Sequence, residues 1–497
     1  MALLGAQLVI TLIVISIIQK IGPHFSIAKW FLCSTGLMRY LYPTNNELKQ
    51  LAGVPKEKPK HNKHNKGSAK YNEQNGNREP ETFHVPRNID IQLETAKVTQ
   101  LDVIHLRFYS EYQWLVDFTL YAAIVYVITE LYQIWFSLQD EINLSIMWCM
   151  LVLGFSMKIL FSLTIQYFKS EESIGERSTC IVTGFAYLLI SMIVLIVDEN
   201  HLEIGLEKAY SSFNENAAIF LNNQGLNSSG PASKIVLKAF LALWCGIIGA
   251  LFTFPGLRMA KMHWDSLRYC QDNKLLKLLL NISFSLPFIL VIMWIKPLSR
   301  DYLTSRIFSG MTAPIMTEST FESMRIALVV IAVVLRFLLM PIYLQAYLNM
   351  AYHRIEQQKK EAGRTTNIEI QKKIAAVFYY LCVVTLQYVA PLIICLYFTF
   401  IYKTLGGYSW VGGYLNNDEC SINDQRPISP TASSSTLEEA SVIKSAQEFH
   451  LALDSLKSVF TTDVFRGVFG FATWWTCFVW FASTSLGMIY QSYFSHS

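Results

Sequence analysis

Apolar residues along this chain arrive in long blocks separated by polar intervals. A helix needs about 20 mostly apolar residues to cross about 30 Å of hydrocarbon, because only a helix satisfies its own backbone hydrogen bonds where water is absent. Nine stretches meet that length or come close to it: Ala2 to Gln19, Trp114 to Leu138, Leu144 to Phe168, Ser178 to Val197, Ile235 to Gly256, Leu278 to Ile295, Arg325 to Ala351, Ile374 to Tyr402, and Phe465 to Tyr490. The first and sixth are the shortest. Trp114, Trp135, Trp148, Tyr167, Tyr397, Tyr402 and Tyr490 flank several of them, as expected where amphipathic rings sit at headgroup depth. The pattern predicts an all-α fold: a polytopic helical membrane protein of about nine transmembrane helices, eight if the N-terminal segment is a cleaved signal.

The blocks divide the chain into five parts. Residues 1–19 read as an N-terminal transmembrane anchor, because MALLGAQLVI lacks the basic n-region of a signal peptide and the first basic residue, Lys20, follows the apolar run. Residues 20–113 read as a basic segment, partly disordered around Pro55 to Pro80, where KEKPKHNKHNK has too few apolar side chains to build a core. This run is a solvated tether or a contact for anionic lipid. His61 and His64 are three apart, but no Cys or carboxylate completes a metal site. Ile89 to Leu93 alternates apolar and polar residues, predicting a short strand or a surface-lying segment. Residues 114–402 form a seven-helix membrane bundle; 403–464 an outer loop, partly disordered, with a helical pattern near Ala446 to Phe460; and 465–497 the last helix and a short tail.

Composition agrees with the blocks. Only 16% of the 497 residues are charged and 52% are hydrophobic, against about 25% charged in soluble domains. A net charge of +4 gives no electrostatic footprint for nucleic acid, and nine cysteines do not make a disulfide-built scaffold. The position of the charges is more informative than their number. With the N-terminus outside and nine helices, the cytoplasmic segments hold 27 of the 41 Lys and Arg and the outer loops 10; four more, Lys158, Lys238, Arg336 and Arg466, lie within helices. This bias predicts an outside N-terminus and a cytoplasmic C-terminus. Of three N-x-S/T sequons, Asn227 lies in the long outer loop and is the expected glycosylation site; Asn143 is too near the membrane, and Asn281 falls within a span.

The sequence contains no phosphate loop, H-E-x-x-H pair, G-x-S-x-G elbow or C-x-x-C pair, so no enzyme activity, cofactor or metal is expected. Asp198, Glu199, His201 and Glu203 read as a solvated helix end. Ionisable residues inside the spans are the sharper signal, since a central charge costs at least about 2.5–3.5 kcal/mol and is kept when paired or functional. Asp117 and Glu130 lie in the second span, Lys158 in the third and Arg336 in the seventh. At about 1.5 Å per residue, Glu130 is about 12 Å and Arg336 about 16 Å from the outer face, which predicts a polar layer in which they pair; Lys158, at about 21 Å, is within reach of Glu130 or Asp117. Asp117 and Arg466 lie near helix ends, within reach of the interface. Pro287, Pro341 and Pro391 are predicted to interrupt and kink three successive helices.

Several strings resemble the animal A/B family of transmembrane protein 161: EYQWLVDFT (Glu111 to Thr119), FSLT with YFK (Phe161 to Lys169), GERS (Gly175 to Ser178), TFPGLR (Thr253 to Arg258), LQAYLN (Leu344 to Asn349), KKEAGR (Lys359 to Arg364), FYYLCV with LQYVAPL (Phe378 to Leu392), and FRG with TWW (Phe465 to Trp475). The basic linker and the last outer loop diverge. The resemblance implies a multi-pass protein without established catalysis or substrate, linked to membrane excitability and cardiac rhythm through potassium and calcium currents. Members are sometimes described with a cleaved signal and eight helices, which would place the basic segment outside. The expected function is therefore a non-enzymatic modulator of ion currents or ion homeostasis that packs against channels or pumps in the lipid bilayer, in the plasma membrane or the endoplasmic reticulum. The alternative is a transporter or channel that uses Glu130, Lys158 and Arg336.

Overall fold

The structure is a computed structural model that describes residues 6–22, 24–53, 82–135, 143–169, 174–223, 233–270, 273–310, 313–361, 363–410 and 459–494. The basic linker, Asn227 and most of the last outer loop lie outside the described residues.

Helices occupy all nine apolar stretches: α1 (Ala6–Ile21), α5 (Tyr109–Trp135), α6 (Ser145–Lys169), α7 (Ile174–Ile196), α9 (Lys234–Tyr269), α10 (Lys274–Ile292), α11 (Glu318–Leu348), α14 (Leu381–Leu405) and α15 (Thr462–Phe494). Shorter helices lie between them: α2 (Ile27–Cys33), α3 (Asn45–Leu51), α4 (Gln100–Ile104), α8 (Leu206–Asn223), α12 (Met350–Lys360) and α13 (Asn367–Tyr379). Seven helical segments are long and apolar enough to cross a membrane: α5, α6, α7 from Arg177, α9, α10, and the pairs α11 with α12 and α13 with α14. The protein is a helical membrane protein. α1, at 16 residues, is short for a span, and α15 is long but rich in Thr, Ser, Gly and aromatics, which lowers its mean hydropathy.

The prolines do not interrupt their helices. α10 runs unbroken through Pro287, α11 through Pro341 and α14 through Pro391, and α9 passes Pro255 in the same way. Each lost backbone bond is local, and neighbouring helices in a bundle hold the remainder of the ladder in place.

The chain forms two compact units. The first comprises residues 1–25, 115–339 and 386–497. Its close contacts are built on small residues, which let backbones approach where lipid provides no hydrophobic drive between helices. Gly184 and Gly246 bring α7 onto α9, opposite Ala250 and Leu188. Gly256 faces Ser483, and Gly487 faces Ala260, where α9 meets α15. Trp475 adds a bond from its indole N–H to the Cys245 carbonyl at 3.2 Å.

The second unit, residues 26–114 and 340–385, is a small mixed module absent from the sequence expectations. β1 (Met38–Tyr40) pairs antiparallel with β3 (Thr95–Lys97), and β2 (His84–Pro86) with β4 (Arg364–Thr366). Short helix starts are fixed by Thr-x-x-Glu/Asp capping boxes: the Thr44 amide donates to Glu47 at 3.1 Å and the Thr99 amide to Asp102 at 3.2 Å. Arg39 links β1 to α4 through Asp102 at 2.8 Å and lies over Phe378 of α13 at 5.0 Å. The Gln345 side chain of α11 accepts from the Met38 amide and donates to its carbonyl, at 2.9 and 3.2 Å. Ile89 to Leu93 carries no strand; the ladder begins at Thr95. The alternation is nevertheless real, with Ile91 buried and Asp90 and Gln92 exposed. An alternating pattern records which side chains face the core and does not by itself supply a hydrogen-bonded partner.

Candidate functional site

The most elaborate polar feature is a cavity of about 570 Å³ in the first unit. Three inter-helix segments build it. The segment after α7 and the segment after α10 zip together at a bridge between Leu202 and Ile295, where the Glu203 amide donates to the Trp294 carbonyl at 2.9 Å and the Lys296 amide to the His201 carbonyl at 3.0 Å. This bridge fixes Glu203 beside Arg300, and the two form an ion pair. Gly205, at φ +77°, then turns the chain into α8, where the backbone passes against Gly467 of α15.

Arg325, near the start of α11, is the buried centre of the cavity lining, with 1% of its surface exposed. Its Nη2 donates to the Glu322 carboxylate and to the Tyr402 hydroxyl, the latter at 2.9 Å; its Nη1 lies 3.7 Å from Glu203. The guanidinium stacks 4.5 Å from the Trp294 ring centroid, and Phe321 and Tyr402 lie at 5.8 and 6.0 Å. Cation–π contact of this kind partly replaces water around a desolvated cation. Tyr402 donates onward to Tyr408 at 3.1 Å, and Arg466 lies 4.9 Å from the Tyr408 ring and donates Nε to the Gly406 carbonyl at 2.7 Å. Arg300 also reaches Glu318 at 2.9 Å. Burial alone would lower the Arg300 pKa, but Glu203 and Glu318 outweigh it and hold the group above its usual value.

Sequence reasoning missed this site. Glu203 is not part of a solvated helix end, because it is tied to Arg300 and Arg325, which lie about 100 or more residues further along the chain. Hydropathy puts Arg325 at the edge of a span, yet its side chain is fully buried. Residues 296–325 are richer in charge than the chain as a whole, which is 16% charged, and this was the available signal.

The intramembrane charges fall into separate groups. Glu130, 6% exposed, is paired with Lys403 and accepts from the Thr404 hydroxyl at 3.2 Å, and Thr404 in turn contacts the Tyr126 hydroxyl at 3.1 Å. The expected Glu130–Arg336 pair is therefore not formed. Depth along an axis is readable from sequence, but the direction in which a side chain leaves its helix is not. Lys403 escaped notice because α14 runs three residues beyond Tyr402, so that Lys403 stays in its last turn. Arg336, 1% exposed, donates Nε to the Ser283 carbonyl at 3.2 Å and lies 5.3 Å from the Trp480 ring. It borders a cavity of about 20 Å³ with Gln387, Ser483, Thr484, Pro255 and Pro391. Lys158 is exposed on α6 and enters no ion pair among the described residues. Asp117 is half-buried, close enough to Tyr121 to act on it electrostatically. Lys238 bonds the Leu195 carbonyl at 2.8 Å and Glu207 at 3.2 Å. Among the described residues, no group of three His, Cys, Asp or Glu side chains is placed to hold a metal.

A family model described as predicted transmembrane protein 161AB matches residues 2–495. No solved structure matches the chain.

Proposed function

Because the chain belongs to the predicted transmembrane protein 161AB family, we propose that this multi-pass membrane protein is a non-enzymatic modulator of ion currents or ion homeostasis that acts by packing against channels or pumps. The single observation that carries this reading is the state of Glu130. A carboxylate that served an ion or proton path would face a hydrated cavity, whereas this one is buried and neutralised in place by Lys403. The cavity beside Arg336, at about 20 Å³, has room for about one water. Pro255 and Pro391 border it without opening it. A role in membrane excitability, in the plasma membrane or the endoplasmic reticulum, follows from the family resemblance and from no side chain in particular.

Purified protein in liposomes, assayed for potassium and calcium flux, tests the reading. Silent liposomes, combined with altered currents when the protein is co-expressed with channels in cells, are the expected result. Flux that disappears in Glu130→Gln would replace the modulator with a transporter or channel.

A further inference from the structure

We propose that the 570 Å³ cavity around Arg325 is a binding site for a small organic anion, one whose carboxylate or phosphate group docks at the guanidinium. The proposal is independent of the modulator reading. It rests on which charges in the lining are already committed. Formally the lining is balanced, with five acidic and five basic residues. Each acid has a partner, although the Oε2 atom of Glu203 is itself shielded from solvent and accepts no hydrogen bond. Glu203 and Glu318 are held by Arg300 and Glu322 by Arg325, Asp463 lies 4.0 Å from Arg466, and Glu199 accepts from the Glu207 amide.

The bases are not used up in the same way. Lys208 and Lys296 line the cavity and form no ion pair or side-chain hydrogen bond among the described residues. At the buried end, the Nε and Nη1 atoms of Arg325 are shielded from solvent and have no hydrogen-bond acceptor. Glu203 approaches Nη1 no closer than 3.7 Å, too far for a direct bond. Two lysine ammoniums and two guanidinium nitrogens thus stand against one carboxylate oxygen, and the uncommitted capacity is weighted toward cationic donors. An oxyanion that displaced the groups shielding Arg325 would meet this capacity. It would supply the acceptors that Arg325 lacks in the planar, forked geometry that guanidinium recognises.

The shape of the site supports the same class of ligand. Its volume falls within the roughly 300–1,000 Å³ usual for small-molecule sites. Trp294, Phe321 and Tyr402 hold the Arg325 guanidinium in one plane, so the donors are fixed before a ligand arrives. That is the preorganisation a binding site needs. The shared chemistry, a carboxylate or phosphate, has two sources: a free organic acid or the head group of an anionic lipid.

The test uses the full chain in neutral detergent and in phosphatidylcholine nanodiscs. Melting temperature is followed against succinate and inorganic phosphate, with chloride at equal ionic strength as reference, and against nanodiscs containing phosphatidic acid. The variants are Lys208→Gln/Lys296→Gln, which alters exposed or half-buried residues and leaves every ion pair intact, and Arg325→Lys, which keeps the charge but loses the fork. A saturable rise in melting temperature with succinate or phosphate, its midpoint moved at least tenfold in the double lysine variant, establishes a soluble ligand. A rise confined to phosphatidic acid, and lost in the same variant, establishes the lipid source. No rise in either arm, or a rise unchanged by the lysine substitutions, overturns the proposal. If Arg325→Lys fails to fold, the lysine variant decides alone.

Discussion

Lys403 donates to the Glu130 carboxylate with both side chains about nine-tenths buried, at the end of α14 and within α5. In such a setting, removing one partner leaves a buried charge uncompensated, which costs about 3–5 kcal/mol, whereas replacing both with neutral groups is often nearly without penalty. Lys403→Met should therefore be severely destabilising. Glu130→Gln/Lys403→Met should regain most of the loss, because the glutamine still offers an acceptor to Thr404. Denaturant unfolding of the detergent-solubilised protein, run as a double-mutant cycle, measures this. Equal damage in the single and double variants would mean that the pair does not act as a unit.

The contrast between this pair and the expected one shows what a single sequence can reveal. Spans follow from hydropathy over about 20 residues, so α5, α6, α7, α9, α10, α11 and α14 were all legible. That Glu130 and Arg336 are buried and polar was legible too, since lipid tolerates few such residues. Their partners were not. Lys403 lies 273 residues from Glu130, and the Ser283 carbonyl that receives Arg336 belongs to a backbone with no sequence signature. The second unit was missed for a related reason. Its strands are three residues long and their partners lie far along the chain, too short for any periodicity to accumulate. Its capping boxes, Thr44 with Glu47 and Thr99 with Asp102, were the one local signal available.

Glycine substitutions should separate packing from propensity. A methyl group on Gly256 would run into the Ser483 side chain and backbone, and one on Gly487 would meet the Ala260 methyl at 2.6 Å. Gly256→Ala should cost about 1–3 kcal/mol by overpacking the contact of α9 with α15. Gly154, within α6, has open space around it, so Gly154→Ala should stabilise by up to about 1 kcal/mol through helix propensity. Thermal melts of the two variants, side by side, should move in opposite directions. A loss in both would indicate that the outer face of α6 is itself covered.

Asp102 gives the second unit a defined response to acid. Burial alone would raise its carboxyl, but hydrogen bonds from Thr99 and the charge of Arg39 outweigh this and hold it below the usual carboxylate range. A carboxyl depressed on folding binds fewer protons in the native than in the unfolded state. Its contribution is therefore complete above the unfolded pKa of about 3.9 and is lost as pH falls through the lower native value. Hydrogen exchange at the β1 and β3 amides should accelerate over that window in the wild type. Asp102→Asn should already exchange faster at neutral pH and show less change over the same window. An unchanged profile in the variant would remove Asp102 as the sensitive group.

The charge bias along the chain predicts an orientation that glycan mapping can test. Residues 26–114 and 340–385 share one unit, while the segments after α7, α10 and α14 line one cavity. Segments that meet without crossing lipid lie on one face, so the three that line the cavity share a face. The positive bias predicts that this face is the outer one and that residues 20–113 are cytoplasmic. Asn227 should accordingly carry a glycan, and the Lys56 to Lys70 linker should resist protease in sealed vesicles. Sequons introduced at Ser309 to Gly310, between α10 and α11, and at Arg87 to Asn88, in the second unit, make the test independent of natural site usage. The first should be modified and the second should not. Modification of only the second would invert the predicted orientation, whereas modification of both would contradict the charge-based assignment of faces.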